Sequence, residues 1–99
     1  MKKEYIYYVY ILTNKTNKTL YIGVTNNLYS RIFQHRLKTN KNSFFSKYNT
    51  SKLIYYEEYQ YIKDAIKREK QLKKWNREWK IELIKKDNPT WRDFFTDML

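Results

Sequence analysis

The chain has 99 residues and only one glycine, Gly23, and this scarcity is the strongest constraint on its fold. Glycine is the residue that best tolerates a left-handed backbone or the close approach of another group. Because the chain has a single glycine, only one position can adopt either arrangement at little energetic cost. Gly23 is the last residue of the tripeptide Tyr21-Ile22-Gly23. Ten residues separate this tripeptide from an earlier one, Tyr8-Val9-Tyr10. We therefore expect Gly23 to mark a forced backbone conformation or a close backbone approach, beside two tyrosines on adjacent strands.

Three segments rich in β-branched and aromatic residues predict strands: Tyr5–Leu12, Leu20–Val24 and Leu53–Tyr59. A polar segment rich in Asn and Lys separates the first two, which predicts an antiparallel hairpin. The first strand is apolar or aromatic throughout, so we expect it to be buried on both faces. Glu57 and Glu58, near the end of the third strand, are expected to be solvated.

Apolar residues at helical spacing predict helices over about 28–38, 62–75 and 77–86, and a short helical segment within 89–99. Thr25, Asn26 and Asn27 are N-cap candidates for the first helix. The apolar sides are expected to be formed by Leu28, Tyr29, Ile32, Phe33 and Leu37 in the first helix, by Ile62, Ala65, Ile66 and Leu72 in the second, and by Trp79, Leu83 and Ile84 in the third.

Near the C-terminus, Asn88-Pro89 should stop the third helix, and Thr90 with Asp93 resembles a capping box. The element order β-β-α-β-α-α with a short C-terminal helix predicts an α+β fold. Its centre would be a small three-stranded antiparallel sheet flanked by helices. We expect a single domain over residues 1–99, with a core of about 5–86 and a C-terminal helical segment, 89–99.

Cysteine usage and hydropathy limit the setting of the protein. The chain has no cysteine, which excludes disulfides and thiolate metal sites and fits a reducing cytoplasm. No apolar run is long enough for a signal peptide or a membrane span. We therefore expect a cytoplasmic protein with no membrane partner.

The formal net charge is +11 at pH 7, and Lys outnumbers Arg by sixteen to five. Such a chain suits a polyanion, most simply nucleic acid, although an A+T-rich coding bias would also raise the Lys content. The distribution favours the first interpretation, because residues 63–86 hold ten Lys and Arg against four Asp and Glu. The expected nucleic-acid contacts are Arg36, Lys67, Arg68, Lys70, Lys73, Lys74 and Arg77.

Glu69 stands out because helical spacing places it within the apolar stripe of the second predicted helix. A carboxylate on a core-facing stripe is costly unless it is paired or binds a cation. One explanation is an ion pair with Lys73, one turn later. The other is a Mg²⁺ ligand facing the sheet, because Mg²⁺ accepts one or two protein carboxylates and fills its other positions with water and phosphate oxygens.

Arg31 and His35, the only histidine, lie one turn apart on the first predicted helix. The simple interpretation is an exposed polar face. The functional interpretation is a guanidinium that grips a phosphate at two points, beside an imidazole that hydrogen-bonds a tyrosine or moves a proton. Tyr10 and Tyr21 would add phenols, which are poor bases at neutral pH unless a cation or a histidine assists them.

Taken in order, these motifs resemble the GIY-YIG nuclease family: Tyr8-Val9-Tyr10, Tyr21-Ile22-Gly23, Arg31, His35 and Glu69. Tyr8 stands where the first glycine of the family name would be. The resemblance spans about residues 5–86 and is closest to the small standalone bacterial members. The chain is also similar to the N-terminal nuclease domain of the excinuclease C subunit.

The resemblance implies a metal-dependent phosphodiesterase on a three-stranded antiparallel sheet. It implies that Tyr10 and Tyr21 hold or activate the attacking water, with the choice of general base open between them. Arg31 would grip the scissile phosphate, and His35 would assist the tyrosine. Glu69 would bind a single Mg²⁺ or Mn²⁺ ion.

The resemblance also implies that Gly23 lets the substrate backbone or Tyr21 approach closely. Some family members carry a lysine just after the second tripeptide, where this chain has Val24. Some also use a late asparagine, whose position falls on Ile81 here. The other candidates for that asparagine are Asn76 and Asn88.

We therefore expect a divalent-metal-dependent endonuclease acting on DNA in repair or processing, with RNA as the alternative substrate. Structure-selective cleavage is an option, and the expected state is a monomer or a weak homodimer. A second hypothesis is a nucleic-acid-binding module with weak or no catalysis on the same fold. A third is a structural or protein-interaction domain, whose interface would consist of Trp91, Phe94, Phe95 and Met98.

Overall fold

A three-stranded antiparallel sheet organises the computed structural model, which describes residues 5–37 and 52–98. The strands are β1 (Tyr7–Thr13), β2 (Leu20–Thr25) and β3 (Lys52–Tyr59), in the spatial order β2-β1-β3. The helices are α1 (Leu28–Leu37), α2 (Ile62–Lys74) and α3 (Arg77–Asp87), followed by a 3₁₀ helix, Phe94–Met98. The predicted α+β fold and hairpin are confirmed, with β1 starting two residues later than expected.

The central strand β1 is buried on both faces from Val9 to Thr13. The expected burial of Tyr5–Leu12 is confirmed from Val9 onward and is wrong at the start of the segment, where Tyr5 and Ile6 are 49% and 47% exposed. Alternation along the strand divides the core into two layers. The α1 face contains Tyr10, Leu12, Leu28, Ile32, Leu53 and Phe95. The α2 face contains Val9, Ile11, Ile22, Ile54, Tyr55, Ala65, Leu72 and Ile84.

An irregularity in the β1–β3 ladder lets β3 contribute adjacent buried side chains to both layers of the core. Ile11 pairs with Tyr55 and Leu12 pairs with Leu53, so Ile54 is an extra residue in β3. Because a bulge breaks the strict alternation of side chains, three successive residues of β3 are buried.

Helix α1 begins where the N-cap candidates predicted, since the side chain of Asn27 accepts a hydrogen bond from the Ser30 amide at 3.1 Å. Leu28 and Ile32 are buried on the α1 face. The expected inward position of Tyr29 and Phe33 is wrong: they are 43% and 44% exposed and stack on each other. A ten-residue helix at the rim of a small sheet has room to bury only a narrow stripe. The side chain of Leu37 lies outside the described part of the structure.

Helix α2 is rotated relative to the sequence prediction. Ala65 and Leu72 are fully buried, as expected, but Ile62 and Ile66 are 40% and 39% exposed. That part of the prediction is wrong because the polar residues between Ala65 and Leu72, and not the isoleucines, face the sheet. Those residues are Arg68 and Glu69, and both belong to the polar clusters described in the next subsection.

Helix α3 begins with Asn76 as its N-cap, whose side chain accepts from the Trp79 amide at 2.9 Å. Ile84 is buried as predicted, whereas Trp79 is 54% exposed and packs edge-on against Trp75, so its expected inward position is wrong. The helix ends at Asp87, as the Asn88-Pro89 signal predicted.

The C-terminal segment folds back onto β3 and α1 through Asp93. Its carboxylate accepts from the amides of Leu53 and Phe95, each at 3.0 Å, and pairs with Arg36. Asp93 thus caps the 3₁₀ helix itself, and the predicted capping box with Thr90 is wrong. Phe95 is buried against Tyr29, so the segment closes the core. Within the described ranges, none of the helices has the length and apolarity needed to cross a membrane.

Candidate active site

Gly23 makes room for the ring of Tyr10. The two residues face each other in the β1–β2 ladder, and a Cβ on Gly23 would lie 2.4 Å from the Tyr10 hydroxyl oxygen and 2.6 Å from Cζ. The φ angle of Gly23 is not in the left-handed region. Of the two expectations, the close approach is confirmed and the forced conformation is wrong. The group that approaches is the side chain of Tyr10, so the geometry does not require the substrate or Tyr21 to be that group.

Three rings meet beside this point. The centroids of Tyr10 and Tyr21 lie 6.3 Å apart, and His35 lies 6.3 Å from Tyr10 and 5.9 Å from Tyr21. His35 is only 2% exposed, so its interpretation as part of an exposed polar face is wrong. Tyr10 is equally buried, at 1%, whereas Tyr21 is half-buried. Of the two phenols, Tyr21 is therefore the more accessible to solvent.

Arg31 reaches the same cluster from α1. Its Nε–H donates to the Tyr10 hydroxyl at 3.5 Å, which is the upper limit for a hydrogen bond. This hydrogen bond raises the pKa of Arg31, and the neighbouring phenols of Tyr10 and Tyr21 raise it further, so the guanidinium stays charged. In residues 5–37 and 52–98, no carboxylate forms an ion pair with Arg31. A half-buried guanidinium without a carboxylate partner is suited to an anionic ligand.

Burial raises the pKa of Tyr10 to about 12. The negative charges of Tyr21, when ionised, and of Glu69 raise it further, while the hydrogen bond and the charge of Arg31 lower it without compensating for burial. Tyr10 is therefore a neutral phenol at neutral pH. It can hydrogen-bond and orient other groups there, but it is not poised to accept a proton.

Glu69 projects from α2, which packs on the opposite face of the sheet from α1. Its side chain is 21% exposed, and Oε2 lies 3.5 Å from the Lys73 ammonium. The predicted ion pair is thus present. It does not prevent Glu69 from influencing the tyrosines, because the charge of Glu69 contributes to raising the pKa of Tyr10. Glu69 can therefore contribute to the same site as Tyr10 when Lys73 releases its carboxylate.

The donor set around Glu69 suits only one kind of metal site. Among the described residues, no group of three or more His, Asp or Glu side chains could hold an ion. A zinc site of several protein ligands is therefore not built here. A single half-buried carboxylate does fit Mg²⁺ or Mn²⁺, which bind hard oxygen donors and complete their shells with water and substrate oxygens.

The predicted nucleic-acid contacts divide into two groups. Lys67, Lys70 and Lys74 are exposed on the outer side of α2, and Lys63 continues the same line. The spacing of these four lysines, at i, i+4, i+7 and i+11, could have identified Lys63 from the sequence. Arg77 donates to the Asn17 carbonyl at 2.9 Å but remains exposed.

Three predicted contacts pair with carboxylates inside the protein: Arg36, Arg68 and Lys73, whose ammonium lies 3.5 Å from Glu69 Oε2. Arg36 pairs with Asp93 and lies over the ring of Phe95, with Cζ 4.2 Å from the ring centroid. Arg68 binds the carboxylate of Glu57 at two points, through Nε and Nη2, each at 3.0 Å. These contacts favour structural roles for both arginines, and we leave them out of the proposed nucleic-acid surface.

Glu57 is the functional residue that sequence reasoning missed. Besides Arg68, it accepts hydrogen bonds from the hydroxyl of Tyr55 and from that of Tyr59, the latter at 2.7 Å. Burial alone would raise the pKa of Glu57, but the hydrogen bonds from Arg68, Tyr55 and Tyr59 outweigh it and hold the pKa below its usual value. The expected solvated strand end is therefore wrong for Glu57, although Glu58 is exposed. Only the packing of α2 on β3 reveals this cluster.

Asn76 and Asn88, the two candidates for the late asparagine of the family, both have structural roles. Asn76 caps α3, and Asn88 is buried and donates to the carbonyls of Ile54 and Arg92 at 3.0 and 2.8 Å. Val24, in the position of the family lysine, packs against the apolar α2 face. Neither asparagine belongs to the ring cluster described above.

Comparison with known proteins agrees with this geometry. The model of the GIY-YIG catalytic domain matches residues 6–82. The chain belongs to the GIY-YIG family. It therefore falls within a nuclease superfamily, as the order of its motifs predicted.

The similar proteins are small members of this family. A UPF0213 protein of Syntrophus aciditrophicus is 38% identical over 84 residues, covering 81% of this chain and 91% of the relative. A UPF0213 protein of Clostridium perfringens is 38% identical over 81 residues, covering 78% and 81%. The solution NMR structure of a UPF0213 protein from Bacillus halodurans has a TM-score of 0.56 at 22% identity, covering 89% of this chain and 92% of that one, and shares the fold.

Proposed function

We propose that this GIY-YIG protein is a divalent-metal-dependent endonuclease that hydrolyses phosphodiester bonds of DNA. The observation that carries the proposal is the cluster at Gly23. A guanidinium with no carboxylate partner among the described residues, two phenols and a buried imidazole meet at the one position where the sheet lacks a Cβ. The charge of Glu69 is one of the influences that raise the pKa of Tyr10, which supports the inclusion of Glu69 in the site.

Arg31 is the proposed binding group for the scissile phosphate. Its long contact to the Tyr10 hydroxyl holds the guanidinium in place without neutralising it. A phosphodiester gains negative charge on its oxygens as it is attacked, and a fixed cation stabilises that charge. The neutral phenol of Tyr10 fits the role of orienting Arg31.

Tyr21 is the better candidate for contact with the attacking water. It is half-buried, whereas Tyr10 is almost fully enclosed and has a pKa of about 12. The rings of Tyr21 and His35 form a T-shaped pair, with centroids 5.9 Å apart. His35 fits a partner that orients the phenol of Tyr21 and takes or supplies a proton at neutral pH.

Glu69 is the proposed ligand for Mg²⁺ or Mn²⁺. Bound there, such an ion would polarise the phosphate oxygens and relieve charge on the leaving oxygen. Lys73 must then release the carboxylate. Because an i, i+4 pair on an exposed helix is worth about 0.2–0.5 kcal/mol, this release costs little.

The proposed DNA-binding surface includes the outer lysines of α2, Lys63, Lys67, Lys70 and Lys74. Contacts of ammonium groups with phosphates position a duplex without reading its sequence. Such a surface is compatible with cleavage selected by DNA structure, as in repair or processing. RNA is the alternative substrate.

The test is cleavage of supercoiled plasmid, linear duplex, branched DNA and RNA by the purified protein, with Mg²⁺, with Mn²⁺ or with chelator. We expect metal-dependent nicking of DNA. Glu69→Gln should lower the rate by at least about 100-fold, while its DNA affinity by fluorescence anisotropy stays close to that of the wild type. Glu58→Gln is the matched control, since it removes the same charge from an exposed position.

Two results would overturn parts of this proposal. Cleavage by Glu69→Gln at the wild-type rate would remove Glu69 from the metal site. Salt-dependent binding with no metal-dependent cleavage of any substrate would instead identify a nucleic-acid-binding module on this fold.

A further inference from the structure

The contact between α2 and the sheet is unusually narrow. Ala65 and Leu72 are the buried residues of this helix. They lie seven residues apart, close to two helical turns, so they fall on a single line along the helix. A single line of contact holds the helix against the sheet but leaves its rotation about its own axis weakly determined.

Arg68 and Glu69 flank this line on opposite sides. At about 100° per residue, Arg68 lies about 60° to one side of Ala65 and Glu69 about 40° to the other. Arg68 points to β3, where it meets Glu57. Glu69 therefore points the other way across the sheet, and its charge acts on Tyr10. Any rotation of α2 moves both side chains together.

The Arg68 side is held firmly. Two parallel hydrogen bonds to Glu57 fix the plane of the guanidinium, and its Nη1 donates to Gln71 at 2.7 Å. The ring of Trp75 packs against it, with Cζ 5.1 Å from the ring centroid. Glu57 is held in turn by the hydroxyls of Tyr55 and Tyr59. A rotation of α2 would break this geometry.

We propose that Glu57 and Arg68, supported by the two tyrosines, are positioning residues that set the rotation of α2 and so fix the direction in which Glu69 projects. This inference rests on the proposed role of Glu69 as the metal ligand. A rotation of about 20° moves a carboxylate on the helix surface by about 2 Å, given a helix radius with side chains of about 5–6 Å. Displacements of about 1 Å can cost about 100-fold in rate.

The test compares Glu57→Gln and Arg68→Lys with the wild type. Arg68→Lys keeps the charge but loses the two-point geometry. We expect Mn²⁺ affinity, measured without DNA by the loss of the free-ion electron paramagnetic resonance signal, to fall by roughly tenfold in each variant. The kcat for DNA cleavage should fall by roughly tenfold or more. The double variant should lose about as much as either single one, because the two residues act as one unit.

Matched controls separate positioning from simple loss of stability. Ile84→Val removes one methyl group from the same core layer without touching the Glu57–Arg68 contact. At a similar loss in Tm, it should keep the wild-type Mn²⁺ affinity and kcat. If Glu57→Gln or Arg68→Lys fails to fold, Tyr59→Phe is the milder variant, because it removes only one hydrogen bond to Glu57. The Mn²⁺ affinity of Tyr59→Phe should fall by a smaller factor.

DNA affinity gives the opposing prediction. If Arg68 served as a phosphate contact, Glu57→Gln would free it and tighten DNA binding while cleavage stayed the same or rose. That result would overturn the inference, as would variants that match Ile84→Val in Mn²⁺ affinity and kcat. A wild-type protein that neither binds Mn²⁺ nor cleaves would instead overturn the proposed function, and this inference with it.

Discussion

The two faces of the sheet each place an arginine among tyrosines, with opposite results. On the α2 face, Arg68 and the phenols of Tyr55 and Tyr59 all converge on the carboxylate of Glu57. On the α1 face, Arg31 meets Tyr10 and Tyr21, and no described carboxylate pairs with it.

The carboxylate decides what each cluster can do. Glu57 accepts hydrogen bonds from the arginine and from both phenols around it. On that face, the cluster therefore holds α2 against β3. The α1 face keeps a charged guanidinium that forms no ion pair with a carboxylate of residues 5–37 or 52–98, beside the rings of Tyr10 and Tyr21. The same residue types therefore build a scaffold on one face and a candidate phosphate site on the other.

The largest expected effect is the loss of Arg31. We expect Arg31→Ala to lower kcat/KM for DNA cleavage by about 10²–10³-fold, because it removes the fixed cation from the developing phosphate charge. Circular dichroism and Tm should stay near wild type, since no ion pair with a described carboxylate is lost. Arg92→Ala is the charge-matched control, because Arg92 is exposed on the C-terminal segment. Equal losses in both variants would reduce Arg31 to a contributor of net charge.

The next effect concerns the space that Gly23 leaves for Tyr10. Gly23→Ala should destabilise the protein by about 1–3 kcal/mol in urea unfolding, because its Cβ would displace a ring that is only 1% exposed. The same change in a Tyr10→Leu background should cost clearly less, since the Cζ and hydroxyl atoms are gone. A cost that does not depend on the residue at position 10 would contradict the close contact.

Alkaline pH should weaken the fold through Tyr10. In the unfolded chain a tyrosine ionises near pH 10, whereas burial raises the pKa of Tyr10 to about 12. Between these values the unfolded state loses a proton that the folded state keeps, so the free energy of unfolding falls, by about 2 kcal/mol for this group. Tyr10→Phe should lessen the fall seen by urea titration between pH 9 and about 12, while Tyr55 and Tyr59, whose pKa values are also raised, should keep the rest of it. Tyr61→Phe, an exposed control, should leave it unchanged.

The smallest effect should come from the outer lysines of α2. Lys67→Gln and Lys70→Gln should each weaken DNA binding modestly and reduce the slope of log K against log salt by about 1. Arg68→Gln should leave that slope unchanged, because Arg68 is bound to Glu57. If Arg68→Gln lowers the slope and the lysine variants do not, the DNA lies on a different surface from the one proposed.

Features set by local sequence could be predicted well. The β1–β2 hairpin, the Asn27 cap of α1 and the end of α3 at Asn88-Pro89 depend on residues near one another in the chain. The approach at Gly23 could also be expected, because a single glycine leaves few places for one. The candidate residues of the site were likewise visible as an ordered set of motifs.

Apart from the forced conformation at Gly23 and the capping box at Thr90, the errors concern which way a helix faces and which partner a charge meets. The exposed positions of Ile66 and Trp79 follow from the rotation of their helices, and helical periodicity alone does not determine that rotation. The pairing of Glu57 with Arg68 joins residues on different elements, so no local pattern predicts it.

By itself, the sequence determined the strand and helix order, the family, and the five residues of the candidate site. Those properties depend on spacing along the chain and on residue type. Only the tertiary structure decided that Tyr10 fills the space at Gly23, that Arg31 has no described carboxylate partner and that Arg68 has one. The physical reason is that the environment of a charge depends on packing between distant elements. Among residues 5–37 and 52–98, that packing brought a carboxylate to Arg68 and none to Arg31.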